Sequence, residues 1–139
     1  GVLSKRQPTE AELADMRFGL AIAKRIGGLD IGQTVVVKNR AVMAVEAIEG
    51  TDACIRRGGQ LGRGGVTVAK SAKPQQDMRF DVPGVGPDTI DSMIQAGAVS
   101  LVIEAGRTLA VDREKMLEKA DQHGITVVAM SEDEVTEHD

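Results

Sequence analysis

Between residues 66 and 130 the sequence alternates short aliphatic runs with amphipathic segments, in the order strand, helix, strand, helix, strand. The predicted strands lie at 66–70, 99–103 and 125–130, and the predicted helices at 87–97 and 112–123. Strands that alternate with helices form parallel sheets through right-handed crossovers. The pattern therefore predicts an α/β fold, a single domain with a mixed, largely parallel sheet flanked by helices.

The first half of the chain is less regular. A capping box from Thr9 to Glu12 opens a predicted helix, which glycines end at residues 27–28. Residues 34–38 and 41–45 are short aliphatic runs separated by two polar residues, a pattern typical of two strands joined by a tight turn. The sheet is therefore expected to be mixed rather than purely parallel.

Residues 49–65 combine a helix start with an unusual density of glycine. Thr51 or Asp52 is the expected cap of a helix that continues through Arg57. Five glycines follow within residues 58–65. Glycine interrupts regular secondary structure, so this stretch is predicted to be a mobile loop.

Composition excludes several classes of protein. The only aromatic residues are Phe18 and Phe80, which argues against nucleic-acid binding by base stacking. A single cysteine, Cys54, offers no disulfide and indicates a reducing cytoplasm. No apolar run approaches the roughly 20 residues of a membrane span. Carboxylates crowd residues 131–139, which are predicted to form an acidic, disordered tail after a domain at 1–130.

The richest chemistry lies in the connection that follows the strand at 66–70. Ligands of open α/β sheets bind beyond the carboxyl ends of strands, which is where this connection begins. Polar and apolar residues alternate from 77 to 82, so an extended segment would place Asp77, Arg79 and Asp81 on one face. That face is either a catalytic surface or an ion-pair ladder worth at most about 1 kcal/mol per exposed pair.

Four motifs give the chain a family resemblance. They are DIGQ at 30–33, AVEAIEGTD at 44–52, KPQQDMRFDVP at 73–83 and VGPDT at 85–89. Over residues 1–130 the chain resembles the C-terminal domain of the LpxI family, the UDP-2,3-diacylglucosamine pyrophosphatases of Gram-negative lipid A synthesis. The resemblance implies a Mg²⁺-dependent hydrolase that splits the diphosphate of UDP-2,3-diacylglucosamine into UMP and 2,3-diacylglucosamine 1-phosphate.

The same motifs supply the candidate site. Carried over by motif, the family's catalytic aspartate would be Asp81. Hard carboxylate oxygens suit Mg²⁺, so Asp81 and Asp77 are the expected metal ligands. Lys70, Lys73 or Arg79 could neutralise charge that develops on the phosphates. Substrate contacts are expected from Lys73, Gln76, Arg79, Thr89, Gln33 and Thr51.

Structural roles remain open for several of these residues. Thr51 and Asp52 are typical helix caps, although Glu46, Glu49 and Asp52 could instead form a second acidic shell. Gln33 follows a predicted turn, where a structural role is as well supported as substrate contact. A lysine such as Lys73 on a loop is usually solvated.

The resemblance also implies a missing N-terminal domain, which in the family helps to enclose the nucleotide and acyl chains. The chain starts at Gly1, which favours a piece of a longer protein. A cytoplasmic location, peripheral contact with the inner membrane and, from base rates alone, a homodimer are the further expectations. Two alternatives are a nucleotide- or phospholipid-binding module without turnover and an oligomerisation domain. The second rests on Phe18 and Ile22, which widen the apolar face of the first helix.

Overall fold

A computed structural model describes residues 1–72 and 84–136. The helices are α1 (Glu10–Gly28), α2 (Thr51–Gly62), α3 (Pro87–Ala96), α4 (Arg113–Gln122) and α5 (Glu132–Thr136). The strands are β1 (Thr34–Lys38), β2 (Ala41–Val45), β3 (Thr67–Lys70), β4 (Gly84–Val85), β5 (Ser100–Glu104), β6 (Leu109–Ala110) and β7 (Thr126–Met130).

Five strands form one sheet in the order β2-β1-β3-β5-β7, and β4 pairs with β6 separately. Strands β3, β5 and β7 run parallel, whereas β1 is antiparallel to both of its neighbours. The predicted fold class, α/β with a mixed, largely parallel sheet flanked by helices, is confirmed. No helix within the described ranges is both long enough and apolar enough to cross a membrane.

The β1–β2 hairpin has the predicted boundaries and the predicted two-residue turn. Asn39 and Arg40 have positive φ angles of 52° and 58°, as the type I′ turn that suits twisted strands requires. Asp15 of α1 is 8% exposed and accepts hydrogen bonds from both turn amides, from Asn39 N at 3.1 Å and from Arg40 N at 2.8 Å. A buried carboxylate of α1 therefore fixes the turn.

Helix α1 covers one face of the sheet, and α2, α3 and α4 cover the other. Met16 and Leu20 of α1 pack on Ala69, Val102 and Val128. A larger cluster lies on the other face of the sheet, between the strands and helices α2, α3 and α4. Its buried side chains include Ile55, Ile90, Met93, Met116, Val36, Val68 and Leu101. The α1 helix begins at the predicted capping box, in which Glu12 N donates to Thr9 Oγ1 at 3.1 Å.

The broad apolar face of α1 is used within the chain. Phe18 and Ile22 are half-buried and pack against a cluster that includes Val35 and Val37 of β1. Apolar side chains that already contact their own sheet do not call for a second protein. The width of this face therefore gives no support to an oligomerisation domain.

The glycine-rich stretch is helical where the sequence predicts a mobile loop. Helix α2 continues to Gly62 with Gly58 and Gly59 in its interior. A Cβ at Gly58 would lie 2.5 Å from Cγ1 of Val36 in β1, and a Cβ at Gly59 would likewise collide with α3. Glycine in a helix interior costs about 1 kcal/mol relative to alanine, but here it permits close packing. The loop prediction was wrong for residues 58–62.

The order of elements predicted for the second half is confirmed, with the short ribbon β4–β6 as an addition. Gly97 ends α3 in the left-handed conformation, with φ of 72°. Asp112 precedes α4 as predicted, but its side chain makes no capping hydrogen bond. Where the sequence predicts a disordered tail, residues 132–136 form α5, and buried Val135 packs with the cluster on α1.

The first residues of the chain run beside β7. Ala129 N donates to Gly1 O at 2.9 Å, and Leu3 N donates to Val127 O at 2.8 Å. Ser4 adds a side-chain contact, because its Oγ accepts from Val127 N at 2.8 Å. These bonds place residues 1–4 next to the last strand of the sheet.

Candidate functional site

The candidate site lies where β3, β5 and β7 end, which we call the carboxyl edge. Thr34 pairs with Lys70, and Lys70 pairs with Ile103. Because β1 is antiparallel to β3, the start of β1 lies at the same edge as the ends of the parallel strands. Ala72 and Gly84, which flank residues 73–83, both lie at this edge, because Ala72 contacts Glu104 of β5 and Gly84 contacts Lys70 of β3. This edge is the region in which α/β sheets bind ligands.

Five of the eight predicted site residues lie outside the described part of the chain: Lys73, Gln76, Asp77, Arg79 and Asp81. The predicted extended segment at 77–82 lies there too. The structure does describe Gln33, Thr51 and Thr89, and each is close to the carboxyl edge.

Gln33 links the start of β1 to the end of β3. Its side-chain Nε2 donates to Ser71 O at 3.1 Å, and its backbone oxygen accepts from Ser71 N at 2.9 Å. Its backbone N–H donates to Glu46 Oε1 at 3.2 Å. The hydroxyl of Ser71 is fully buried and has no hydrogen-bond partner among the described residues. Gln33 therefore has a structural role at this edge, next to the buried hydroxyl of Ser71.

Thr51 and Asp52 open α2, but neither is its N-cap. That position belongs to Gly50, whose φ of 92° favours glycine. The Thr51 hydroxyl lies 3.3 Å from the Thr34 hydroxyl, and Asp52 Oδ1 accepts from Ser92 Oγ of α3 at 2.9 Å. The expectation that Thr51 or Asp52 caps α2 was wrong. Their side chains connect α2 to β1 and α3 instead.

Thr89 lies in the first turn of α3, with its side chain mostly buried. Its Oγ1 accepts a hydrogen bond from Gly86 N at 3.1 Å. This bond satisfies an amide that the helix itself leaves unpaired. A cavity of about 400 Å³ lies alongside, between residues 84–88 and Val111, Asp112 and Lys115. Thr89 thus shapes the start of α3 beside open space.

Lys70 is the last residue of β3 and reaches the chain that enters α3. Its Nζ donates to the carbonyl oxygen of Gly84 at 2.9 Å. Burial lowers the pKa of Lys70, whereas the nearby charges of Glu46 and Asp52 oppose that shift. The carboxyl edge therefore contains a partly desolvated cation with carboxylates nearby.

Glu104, at the end of β5, is a site residue that our sequence reasoning missed. Its carboxylate is only 5% exposed. Oε1 accepts from Ala72 N at 3.2 Å, and Oε2 pairs with Nζ of Lys24 in α1 at 3.2 Å. A charged residue that directly follows an aliphatic run was the available signal. Its two partners, 32 and 80 positions away, were not visible in any local pattern.

The proposed second acidic shell does not converge. Glu49 pairs with Arg57, whose hydrogen bond lowers the pKa of that carboxylate. Glu46 accepts from Gln33, and Asp52 accepts from Ser92. Within residues 1–72 and 84–136 no three His, Cys, Asp or Glu side chains form a group suited to a metal ion.

Comparison with known proteins gives a consistent family match. The family model for the LpxI C-terminal domain matches residues 1–128. UDP-2,3-diacylglucosamine pyrophosphatase LpxI of Caulobacter vibrioides is 43% identical over 143 residues, which cover 96% of this chain and 51% of that protein.

Weaker similarity extends to two proteins with another name. The bifunctional purine biosynthesis protein PurH of Bradyrhizobium diazoefficiens is 28% identical over 91% of this chain and 24% of its own length. PurH of Brucella anthropi is 29% identical over 91% of this chain and 23% of its own length. The chain thus spans about half the length of its LpxI relative and about a quarter of these PurH proteins.

Proposed function

Because this chain belongs to the LpxI C-terminal domain family, we propose that it carries the reacting residues of a UDP-2,3-diacylglucosamine pyrophosphatase. The reaction adds water to the diphosphate: one bridging P–O bond breaks, and UMP and 2,3-diacylglucosamine 1-phosphate are released. The observation that carries the proposal is the family match over residues 1–128, which include the whole motif at 73–83.

The geometry supports this proposal through the position of the motif's neighbours. Ala72 contacts Glu104, and Gly84 contacts Lys70, so the backbone on both sides of the motif is held at the carboxyl edge. Helices α2 and α3 begin at the same edge. The positive ends of helix dipoles favour anions such as a diphosphate. The hydroxyl of Ser71, which is buried and has no partner among the described residues, adds a polar group nearby.

We propose Asp81 as the catalytic carboxylate, and Lys73, Gln76 and Arg79 as groups that bind the diphosphate. These assignments follow from the motif and concern residues outside the described ranges. Thr51, Thr89 and Gln33 are proposed to contact substrate as well. Each already makes a structural hydrogen bond, and the hydroxyls of Thr51 and Thr89 would serve the ligand through their remaining hydrogen-bonding capacity.

A Mg²⁺ ion is part of the proposal. Glu46, Asp52 and Glu104 accept hydrogen bonds from other residues, and the motif supplies Asp81 and Asp77, to which we assign the ion. When bound, Mg²⁺ would reduce the charge on the diphosphate and orient the attacking water. Oxygen ligands supplied by one or two carboxylates plus phosphates are typical of this ion. Peripheral membrane contact and a homodimer stay predictions.

The test is UMP release from UDP-2,3-diacylglucosamine, measured for this chain alone and for a full-length protein, by which we mean a form that includes the proposed N-terminal domain, with Mg²⁺ or with EDTA. We expect Mg²⁺-dependent release that Asp81→Ala abolishes while the protein stays folded. Asp121→Ala is the matched control. Asp121 lies in α4, away from the carboxyl edge, and its side chain accepts a hydrogen bond from Lys5 N at 2.9 Å. Undiminished turnover in Asp81→Ala would refute the assignment of that residue.

The two protein forms separate the catalytic reading from the binding-module alternative. Release by the full-length protein but not by this chain would mean that the proposed N-terminal domain completes the site. Mg²⁺-dependent UMP binding by both forms, without release by either, would favour a binding module. A full-length protein that neither binds UMP nor releases it would refute the proposal.

A further inference from the structure

Two charged side chains hold the backbone immediately before and after residues 73–83. Glu104 Oε1 accepts from the N–H of Ala72 at 3.2 Å. Lys70 Nζ donates to the carbonyl oxygen of Gly84 at 2.9 Å. Glu104 and Lys70 end neighbouring parallel strands, β5 and β3. The two bonds therefore fix the motif's flanks to the rigid sheet.

Packing alone does not explain a carboxylate at position 104. The preceding side chain on the same face of β5, Val102, is apolar and belongs to the cluster under α1. An apolar residue at 104 would extend that cluster, whereas a carboxylate loses hydration when it is buried. The structure compensates with Lys24, which pairs with Glu104 at 3.2 Å. What the carboxylate provides, and an aliphatic side chain would not, is an acceptor for Ala72.

Packing alone does not explain a lysine at position 70 either, which lies on the other face of the sheet. Its neighbours on that face include Val68, a residue of the main apolar cluster. Glu46 and Asp52 supply the negative charge that favours an ammonium group here. The hydrogen bond that this ammonium makes joins β3 to Gly84, 14 positions further along the chain.

We infer that Glu104 and Lys70 are positioning residues, which hold the two flanks of residues 73–83 so that the reacting groups in the motif meet the diphosphate. This inference rests on the proposed function. A displacement of about 1 Å at a reacting group can lower turnover by about 100-fold. Loss of either bond is therefore expected to lower kcat rather than to raise KM.

The chain offers a matched control for each residue at the opposite edge of the sheet. Asp15 is also a buried carboxylate that accepts backbone N–H groups, those of Asn39 and Arg40. Lys38 is also a lysine that donates to a carbonyl oxygen, that of Gly62, at 2.8 Å. Replacement of these residues removes the same kinds of bond far from the motif.

The experiment measures kcat and KM for UMP release by the full-length protein, below the melting temperature of every variant. We expect Glu104→Leu and Lys70→Met to lower kcat by about 10- to 100-fold. Asp15→Leu and Lys38→Met should keep kcat within about threefold of wild type, as should Glu104→Gln, which retains an acceptor oxygen. Normal kcat in Glu104→Leu and Lys70→Met, or equal losses in the controls, would overturn the inference.

A second readout does not depend on turnover. Amide hydrogen exchange at Ala72, followed by NMR, should be at least tenfold faster in Glu104→Leu than in wild type, and unchanged in Asp15→Leu. If the full-length wild type releases no UMP, the proposed function fails, while exchange still decides whether Glu104 holds Ala72. Unchanged exchange in Glu104→Leu would refute the positioning role of Glu104 even in an active enzyme.

Discussion

Gly58→Ala should destabilise the protein, although alanine is the better helix former. Two effects compete. The substitution improves helix propensity by about 1 kcal/mol. Against that, the new Cβ would lie 2.5 Å from Cγ1 and 2.7 Å from Cγ2 of Val36, whereas carbon atoms normally approach to about 3.5–4.0 Å.

Val36 has little freedom to move away. It is fully buried, and its strand is hydrogen-bonded to β2 on one side and β3 on the other. Its branched side chain is stiff about χ1. Overpacking of a core costs about 1–3 kcal/mol and sometimes more. With the cost at the upper end of that range, we expect a net loss of about 2 kcal/mol, or about 4–8 °C in melting temperature.

Urea unfolding of the wild type and Gly58→Ala measures the difference. Gly28→Ala at the end of α1 is the control, because no described atom lies within 4 Å of its added Cβ, and it should be neutral or stabilising by up to about 1 kcal/mol. In a double-mutant cycle, Val36→Ala should remove only part of the penalty of Gly58→Ala, because it deletes Cγ1 and Cγ2 of Val36 but keeps its Cβ, which lies closest of all to the new Cβ. An unfolding midpoint of Gly58→Ala at or above that of wild type would refute the packing argument.

Two further predictions concern titratable groups. Burial raises the pKa of the Cys54 thiol to about 12. A thiol reagent at pH 8 should therefore label the native protein at least 100-fold more slowly than the urea-unfolded chain. Equal labelling rates would contradict the burial of Cys54. Burial lowers the pKa of Lys70 below its ordinary 10.5, so the folded state binds fewer protons just below pH 10.5. The free energy of unfolding should then rise more with pH in that window for wild type than for Lys70→Met, and parallel curves from urea unfolding would contradict the assignment.

Local pattern was sufficient to predict much of this fold. The strands at 34–38 and 41–45 have the predicted boundaries, because aliphatic runs and a polar two-residue turn are local signals. Helix α2 was truncated in the prediction because glycine disfavours helices locally, whereas contacts with Val36 and α3 permit it here. The ribbon β4–β6 has only two residues in each strand, too few to show a period.

The candidate site, too, was predicted where the signal is local in sequence and missed where it depends on distant residues. Composition and motif predicted where the chemistry lies in the sequence, at residues 73–83, but those residues lie outside the described ranges. Glu104 was missed because its role depends on Ala72 and Lys24, which are distant in sequence. Gln33, Thr51 and Thr89 were singled out as substrate contacts, and the structure adds hydrogen bonds that no motif encodes.

The segment at residues 1–4 has a consequence for self-association. Strand β7 is the last strand of its sheet, and the hydrogen bonds from Gly1, Leu3 and Ser4 occupy backbone groups on its outer side. An uncovered edge strand with an apolar, buried sequence is a template for pairing with another chain. Residues 1–4 therefore cover this edge against edge-to-edge aggregation, and deleting them would uncover it and would also remove Leu3, which packs against the main apolar cluster.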